Sequence, residues 1–209
     1  DDQFQGKDRS HIQFDLKQTL FGRGRLDMHY NRVSDRNYFE DFGGTLTATS
    51  TQYLERHANF IYDGTNSHYN WNLNTNVQDF QIVNDNLAVT SRPYKRLPRI
   101  RFNINSIAKN NVINYHLKSE AVYFQRGNDP SLNNVEGFRL DMFPSISYPM
   151  QSISGYLKPK LGLRYTQYSL NNNLSFEKSP NRVLPILSLD SGLYFDKTGK
   201  AFKHTYTQT

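Results

Sequence analysis

The sequence contains no cysteine, so neither a disulfide framework nor a thiolate metal site can be built from its 209 residues. No run of about 18 apolar residues occurs, which excludes a transmembrane helix within this span. The six histidines do not fall in metal-ligand spacings, and GxSxG, P-loop and HExxH motifs are missing. A barrel hydrolase therefore has inward Asp, His and Ser residues in its favour but no motif. Oily residues are scarce: 36%, tyrosine included, is little for a globular core of this length. The chain starts at Asp1 without an initiator methionine or signal peptide, so a mature product or an excised piece is expected.

What the chain does have is aromatic side chains, 14 Tyr, 14 Phe and one Trp, together with much Asn. Disordered chains lack aromatics and regular alternation, so few but aromatic apolar residues fit a wall that is oily on one side only. The net charge of +6, from 25 Lys and Arg against 19 Asp and Glu, suits an anionic partner such as nucleic acid, phosphate or an acidic lipid. Charge alone does not choose among them.

Residues 153–168 separate two faces most cleanly. Odd positions hold Ile153, Gly155, Leu157, Pro159, Leu161, Leu163 and Tyr165, and even positions hold Tyr156, Lys158, Lys160, Gly162, Arg164 and Thr166. That is a strand with one oily and one charged face. Soluble strands are usually ~5–6 residues long, whereas a strand crossing a bilayer obliquely needs ~9–11 for the hydrocarbon alone. The same alternation recurs along the chain. Ile12, Phe14, Leu16 and Leu20 alternate with polar residues, and Leu26, Met28 and Tyr30 follow a Gly22-Arg23-Gly24 turn. Further strands are expected at 54–62, 69–78, 100–105, 113–123, 138–148 and 183–195, with a tenth starting near 202. The amide series Asn70, Asn72, Asn74 and Asn76 suits a wet interior.

Connections alternate between short turns (22–24, 63–66, 109–111, 149–152) and long loops (34–53, 82–97, 127–134, 171–181). Transmembrane barrels keep short turns on the periplasmic side and long loops outside. The expected fold is thus all-β, an antiparallel up-and-down transmembrane β-barrel segment of about nine to ten strands. Its polar face gathers ten cations, among them Arg99, Arg101, Arg139, Lys158, Lys160 and Arg164, against six anions. Those six are the candidate lumen-facing contacts, with Lys158 and Lys160 expected at mid-depth. Arg and Lys bind phosphate and carboxylate groups, but lumen charges also pair across strands merely to keep the barrel wet. Nucleic acid is not an expected partner, because aromatic and basic residues fall mostly on opposite faces, whereas a stacking platform interleaves them. No cofactor and no metal are expected.

Several segments resemble a known family, LptD, the outer-membrane LPS-assembly protein. Val33-Ser34-Asp35-Arg36-Asn37-Tyr38-Phe39-Glu40-Asp41-Phe42-Gly43 is similar to its VSDxxYFxDF segment, and Pro93-Tyr94-Lys95-Arg96-Leu97-Pro98 to its PYxRLP strand entry. Arg182-Val183-Leu184-Pro185 with Ser188-Leu189-Asp190-Ser191-Gly192-Leu193 resembles RxxPxxSLDSGL, and Tyr206-Thr207-Gln208-Thr209 the start of TQTLEPR. The resemblance implies a barrel of ~26 strands, of which residues 1–209 would be part of the N-terminal half. It also implies a lipoprotein plug, LptE, inside the barrel, and a periplasmic jellyroll that receives lipopolysaccharide from the LptA bridge. Lipopolysaccharide would leave through a lateral seam into outer-membrane lipid of a Gram-negative cell. The jellyroll, the closing strands and the family's disulfide cysteines are not in this chain, so the piece alone should transport nothing and is not expected to be an enzyme. The alternatives are a general porin or carbohydrate channel, and a soluble carbohydrate-binding β-sandwich.

Overall fold

In the computed structural model, the described residues are 8–35, 37–42, 51–84, 86–107, 112–126, 135–171, 177–198 and 203–208. They form one antiparallel sheet of strands in chain order: β1 His11–Leu20, β2 Gly24–Val33, β3 Tyr53–Thr65, β4 Tyr69–Ile82, β5 Lys95–Ser106, β6 Asn114–Gln125, β7 Glu136–Ser147, β8 Met150–Ser152, β9 Gly155–Asn171, β10 Asn181–Thr198 and β11 Lys203–Gln208. Each strand pairs with its sequence neighbour except that β7 pairs with β9, β8 lying off the path against the start of β9. The ends β1 and β11 do not pair with each other among the described residues, so the sheet is an unclosed up-and-down segment. Along the path, β1 to β10 are 10 to 18 residues long, enough to cross a hydrocarbon layer at a tilt.

Four details differ from the sequence reading, each for a local reason. The turn expected at 63–66 begins only at Asn66, because β3 and β4 stay paired as far as Thr65 and Asn70. The first turn is 21–23 and Gly24 already belongs to β2, because Phe21 and Gly22 take positive φ values of 52° and 71°. Only glycine enters that region without cost, so Gly22 serves the turn while Phe21 is held there by the hairpin. The short turn expected at 149–152 is a continuation of β7. Ser147 pairs with Lys160 and Met150 with Leu157 in one unbroken register, and the ladder lapses where Pro149 has no amide hydrogen to donate. The chain reverses at Ile153-Ser154, and Ile153 is almost fully exposed. Finally, β5 starts at Lys95 rather than 100, its register with β6 slipping between Arg96 and Arg99 around Pro98. The expected 109–111 turn, the 127–134 loop and the start near Phe202 lie outside the described residues.

Paired residues share a face, so the register settles which side chains stand together. One face carries Leu16 and Met28, Ala58 and Val77, Leu73 and Phe102, Ala121 and Leu140, Leu161 and Leu187 as directly opposed pairs. This oily face is uncovered: Leu187 is 79% and Leu189 65% exposed, and no second sheet packs on it among the described residues. The soluble β-sandwich needs that face buried, and here only Val33, Leu54, Val83 and Val122 are buried apolar side chains among the described residues. Aromatics mark the ends of the oily band. Tyr62 stacks on Trp71 near the short turns, and Tyr123 stands opposite Phe138 near the long loops, as the two girdles of a membrane barrel do.

The connection after β2 is not merely a loop. A short helix, α1 Tyr38–Phe42, packs Tyr38 and Phe39 against the buried Val33, Leu54 and Val83. Both rings also touch His11 of the polar face, at 5.8 and 5.5 Å. Arg9 fastens this cap, donating from Nε and Nη2 to Asp35 and from Nη1 to Asp41, with its guanidinium 4.9 Å from the Phe42 ring. Hydrogen bonding from Arg9 holds the Asp35 carboxyl below the ordinary carboxylate range. The first long connection thus leans over the polar face instead of standing off it.

Candidate functional site

Alternation puts charged side chains on one face, and pairing then sets cations and anions of neighbouring strands side by side. Arg99 and Arg101 of β5 stand by Val122 and Glu120 of β6, which in turn stand by Arg139 and Asp141 of β7. The result is a cleft of about 410 Å³ toward the long-loop end, floored by β5, β6, β7, β9 and β10.

Within the cleft most charges are already matched. Glu120, with a side chain 15% exposed, accepts from Arg99 Nε at 2.6 Å and also from Arg139 Nη2. Asp141 accepts from Arg164 through Nε at 3.0 Å and Nη2 at 3.1 Å, and from the Thr166 hydroxyl at 2.7 Å. Arg101 donates to Asn74 at 3.2 Å, so the amide series on β4 serves as acceptor for an interior cation. Lys118 and Arg182 also line the cleft, and neither forms an ion pair among the described residues. Five cations line the cleft and Arg99 reaches one of its two carboxylates from beside it, which leaves the cleft positive.

Four of the six sequence candidates, Arg99, Arg101, Arg139 and Arg164, are therefore brought together. The other two, Lys158 and Lys160, are not in this cleft. They occupy the first third of β9, nearer the short turns than the expected mid-depth, because β9 runs on to Asn171. Lys160 Nζ lies 5.5 Å from the Phe143 ring, and that ring rests where a side chain on Gly162 would be: a Cβ there would come within 2.6 Å of it. Lys158 faces Asp190 across β10, but the Asp190 carboxylate accepts from the Tyr156 hydroxyl at 3.1 Å and no ion pair joins it to Lys158 among the described residues.

Sequence reasoning placed Lys118, Arg182 and Glu120 on the polar face without singling them out. Their places beside residues of the adjacent strands, fixed only by register, are what make them part of the cleft. Phe143 gave no signal at all, since an aromatic on a polar face breaks the alternation. One ionic cluster sits on the oily face: Asp79 accepts from Arg56 at 2.5 Å and Lys95 at 2.8 Å, and Arg56 lies 5.8 Å from the Tyr30 ring. It is at the long-loop end of β3, β4 and β5, where a membrane strand leaves the hydrocarbon. Among the described residues no group of three or more His, Asp or Glu is placed to hold a metal ion. Among the described residues the polar face offers groups for binding and charge matching.

Comparison with known proteins gives one consistent result. A family model described as "LptD: LPS transport system D" matches residues 7–209. The LPS-assembly protein LptD of Nitrosospira multiformis is 40% identical over 191 residues, covering 88% of this chain and 20% of that protein. Its counterparts in Nitrosomonas eutropha and Chromobacterium violaceum are each 36% identical, covering 89% and 85% of this chain and 25% and 22% of theirs. The chain spans about a fifth to a quarter of the length of these relatives. With a match that runs through every strand of the sheet, the chain belongs to the LptD family.

Proposed function

We propose that this segment is part of the wall of an outer-membrane barrel that inserts lipopolysaccharide into the outer leaflet of a Gram-negative cell, with the polar face toward the barrel interior. The observation that carries the reading is the division of one long-stranded sheet into an uncovered oily face and a charged, hydrogen-bonded one. A bilayer makes the first favourable, since each exposed Leu or Ile side chain would gain ~1.5–3 kcal/mol on leaving water. The family's printed name supplies the substrate class, and the positive cleft suits its anionic groups.

In the whole protein, residues 1–209 belong to the N-terminal half of the barrel. Lys158, Lys160, Arg164, Arg139, Arg99 and Arg101 face the lipopolysaccharide route or the LptE plug. The LptA bridge meets the jellyroll outside this chain. The role is structural and ligand-contacting, without catalysis. Short turns lie in the periplasm and long loops outside, so the cap on α1 narrows the interior from the external side.

Photo-crosslinking amino acids in the full-length protein in cells test this. At Lys158, Lys160 and Arg164 they should capture lipopolysaccharide or the plug lipoprotein, and at Leu157, Leu161 and Leu163 bilayer acyl chains. Acyl-chain capture at the even positions alone would reverse the faces and remove the proposal.

A further inference from the structure

On β2 to β5 the oily face breaks its own pattern at the long-loop end. Arg56 of β3 stands directly opposite Asp79 of β4, and Lys95 of β5 closes on the same carboxylate, at 2.5 and 2.8 Å. Tyr30 of β2 continues the row: its ring lies 5.8 Å from the Arg56 guanidinium, and both Arg32 and Arg56 reach its hydroxyl. Toward the short turns the same face of these strands carries no charged residue, and Met28, Ala58, Val77 and Ile100 fill the next rows.

The row is not a closed brace. Three cations meet one carboxylate, and both Asp79 oxygens are already engaged, Oδ2 by Arg56 and Oδ1 by Lys95 and by the Phe80 amide at 2.8 Å. Arg32 is exposed, stands opposite Ile12 of β1 and forms no ion pair among the described residues. The Arg56 and Lys95 side chains are 23% and 29% exposed, so the surplus charge is presented at the surface.

Depth supplies the second observation. Residues 57–65 of β3 separate Arg56 from the short turn at Asn66, and ~9–11 residues of tilted strand span the hydrocarbon. The surplus therefore lies where hydrocarbon gives way to headgroups, on the side of the sheet that faces lipid. Charge within hydrocarbon is costly, whereas at the interface cationic side chains reach the headgroups and Tyr anchors the level. What borders the row there is lipid, and the anionic part of a lipid at that depth is its phosphate.

We infer that Arg32, Arg56 and Lys95 form a site on the outside of the wall for the phosphate of a lipid resident in the external leaflet. Asp79 is the positioning residue that holds Arg56 and Lys95 at one height. Guanidinium groups match phosphate oxygens in pairs, and an ammonium adds a compact charge. The site is separate from the arginine cleft, which opens on the opposite face. It rests on the oily face being the lipid side, as proposed above.

Its test uses the full-length protein in phosphatidylcholine nanodiscs with a trace of phosphatidic acid that carries a photoreactive diazirine beside the glycerol. Mapping of the crosslinked peptides should find phosphatidic acid on β2 to β5 around Tyr30 and Arg56, in preference to phosphatidylcholine bearing the same group. Arg32→Gln with Lys95→Gln removes the surplus and leaves the Arg56–Asp79 pair intact; it should lower that capture about tenfold or more. Lys17→Gln with Arg25→Gln, the same change of charge on the opposite face of β1 and β2, should alter it by no more than about twofold. Capture of the phosphatidylcholine probe should be the same in all three proteins.

Equal losses for both probes, an unchanged yield in the Arg32 and Lys95 double variant, or a control loss as large would each overturn the site. Loss of capture on adding inorganic phosphate would reveal a site for the free ion and overturn its assignment to lipid. Should the double variant not assemble, Arg32→Gln alone decides, with an expected loss of about threefold. Spin labels that keep the odd positions of β9 in lipid, with capture unchanged in the variants, would sink the site and leave the wall reading standing.

Discussion

The polar face holds two cationic regions only a few residues apart along the strands, and they are built on opposite plans. In the upper cleft Arg99 and Arg139 share Glu120, and Arg164 is forked onto Asp141. In the lower patch Lys158 and Lys160 form no ion pair among the described residues, and Asp190, opposite Lys158, accepts from Tyr156 instead. Arginine supplies the cross-strand ion pairs of the cleft, whereas Lys158 and Lys160 below it, and Lys118 and Arg182 within it, form none among the described residues. The cleft is therefore chiefly a brace with a positive surplus from Lys118 and Arg182, and the patch is not braced by ion pairs among the described residues.

The contrast is sharpest at Glu120. Glu120→Gln strands two guanidinium groups in a partly buried position and should destabilise the full-length barrel by about 2–4 kcal/mol, read from heat or guanidinium unfolding in detergent. No loss would mean that the arginines are not braced. Arg164→Gln breaks the fork onto Asp141, but its side chain is 51% exposed, so water screens the pair and the cost falls to about 0.5–1 kcal/mol in the same assay.

Outside the sheet, the Arg9–Asp35 pair gives a local, pH-dependent effect. Because the folded carboxyl titrates below its unfolded value of about 3.9, its contribution is complete above that pH and is lost as the pH falls through the lower folded value. The Asn37 amide, which donates to Asp35 at 3.1 Å, should therefore exchange hydrogen faster, relative to the intrinsic rate, only at the acid end. Smallest of all, Lys158→Gln and Lys160→Gln should each leave stability within about 0.5 kcal/mol of the parent, since neither loses an ion pair. A cost comparable to that of Glu120→Gln would erase the distinction between the two regions.

Strand parity was legible in the sequence because side chains alternate with period two whatever the neighbours do. All six candidate cations were placed on the face that the pairing confirms, and the rhythm of short and long connections predicted the up-and-down order. Three things were not legible. Continuation of β7 past Pro149 depends on a register shared with β9, which Ser147 and Met150 reveal only when paired. The split between braced arginines and unpaired lysines depends on which residues oppose across three strands, and alternation does not set that. The inward cap needs Arg9 to reach Asp35 and Asp41, a contact between segments that a local pattern cannot join.

The faces themselves are tested most directly by a spin-label scan along β9, from Tyr156 to Tyr168, in the full-length protein reconstituted in lipid. Accessibility to oxygen should peak at Leu157, Leu161, Leu163 and Tyr165, and accessibility to a water-soluble nickel complex at Lys158, Lys160 and Arg164, with a period of two throughout. The opposite phase, or no alternation, would contradict a wall with lipid on one side and a wet, charged interior on the other.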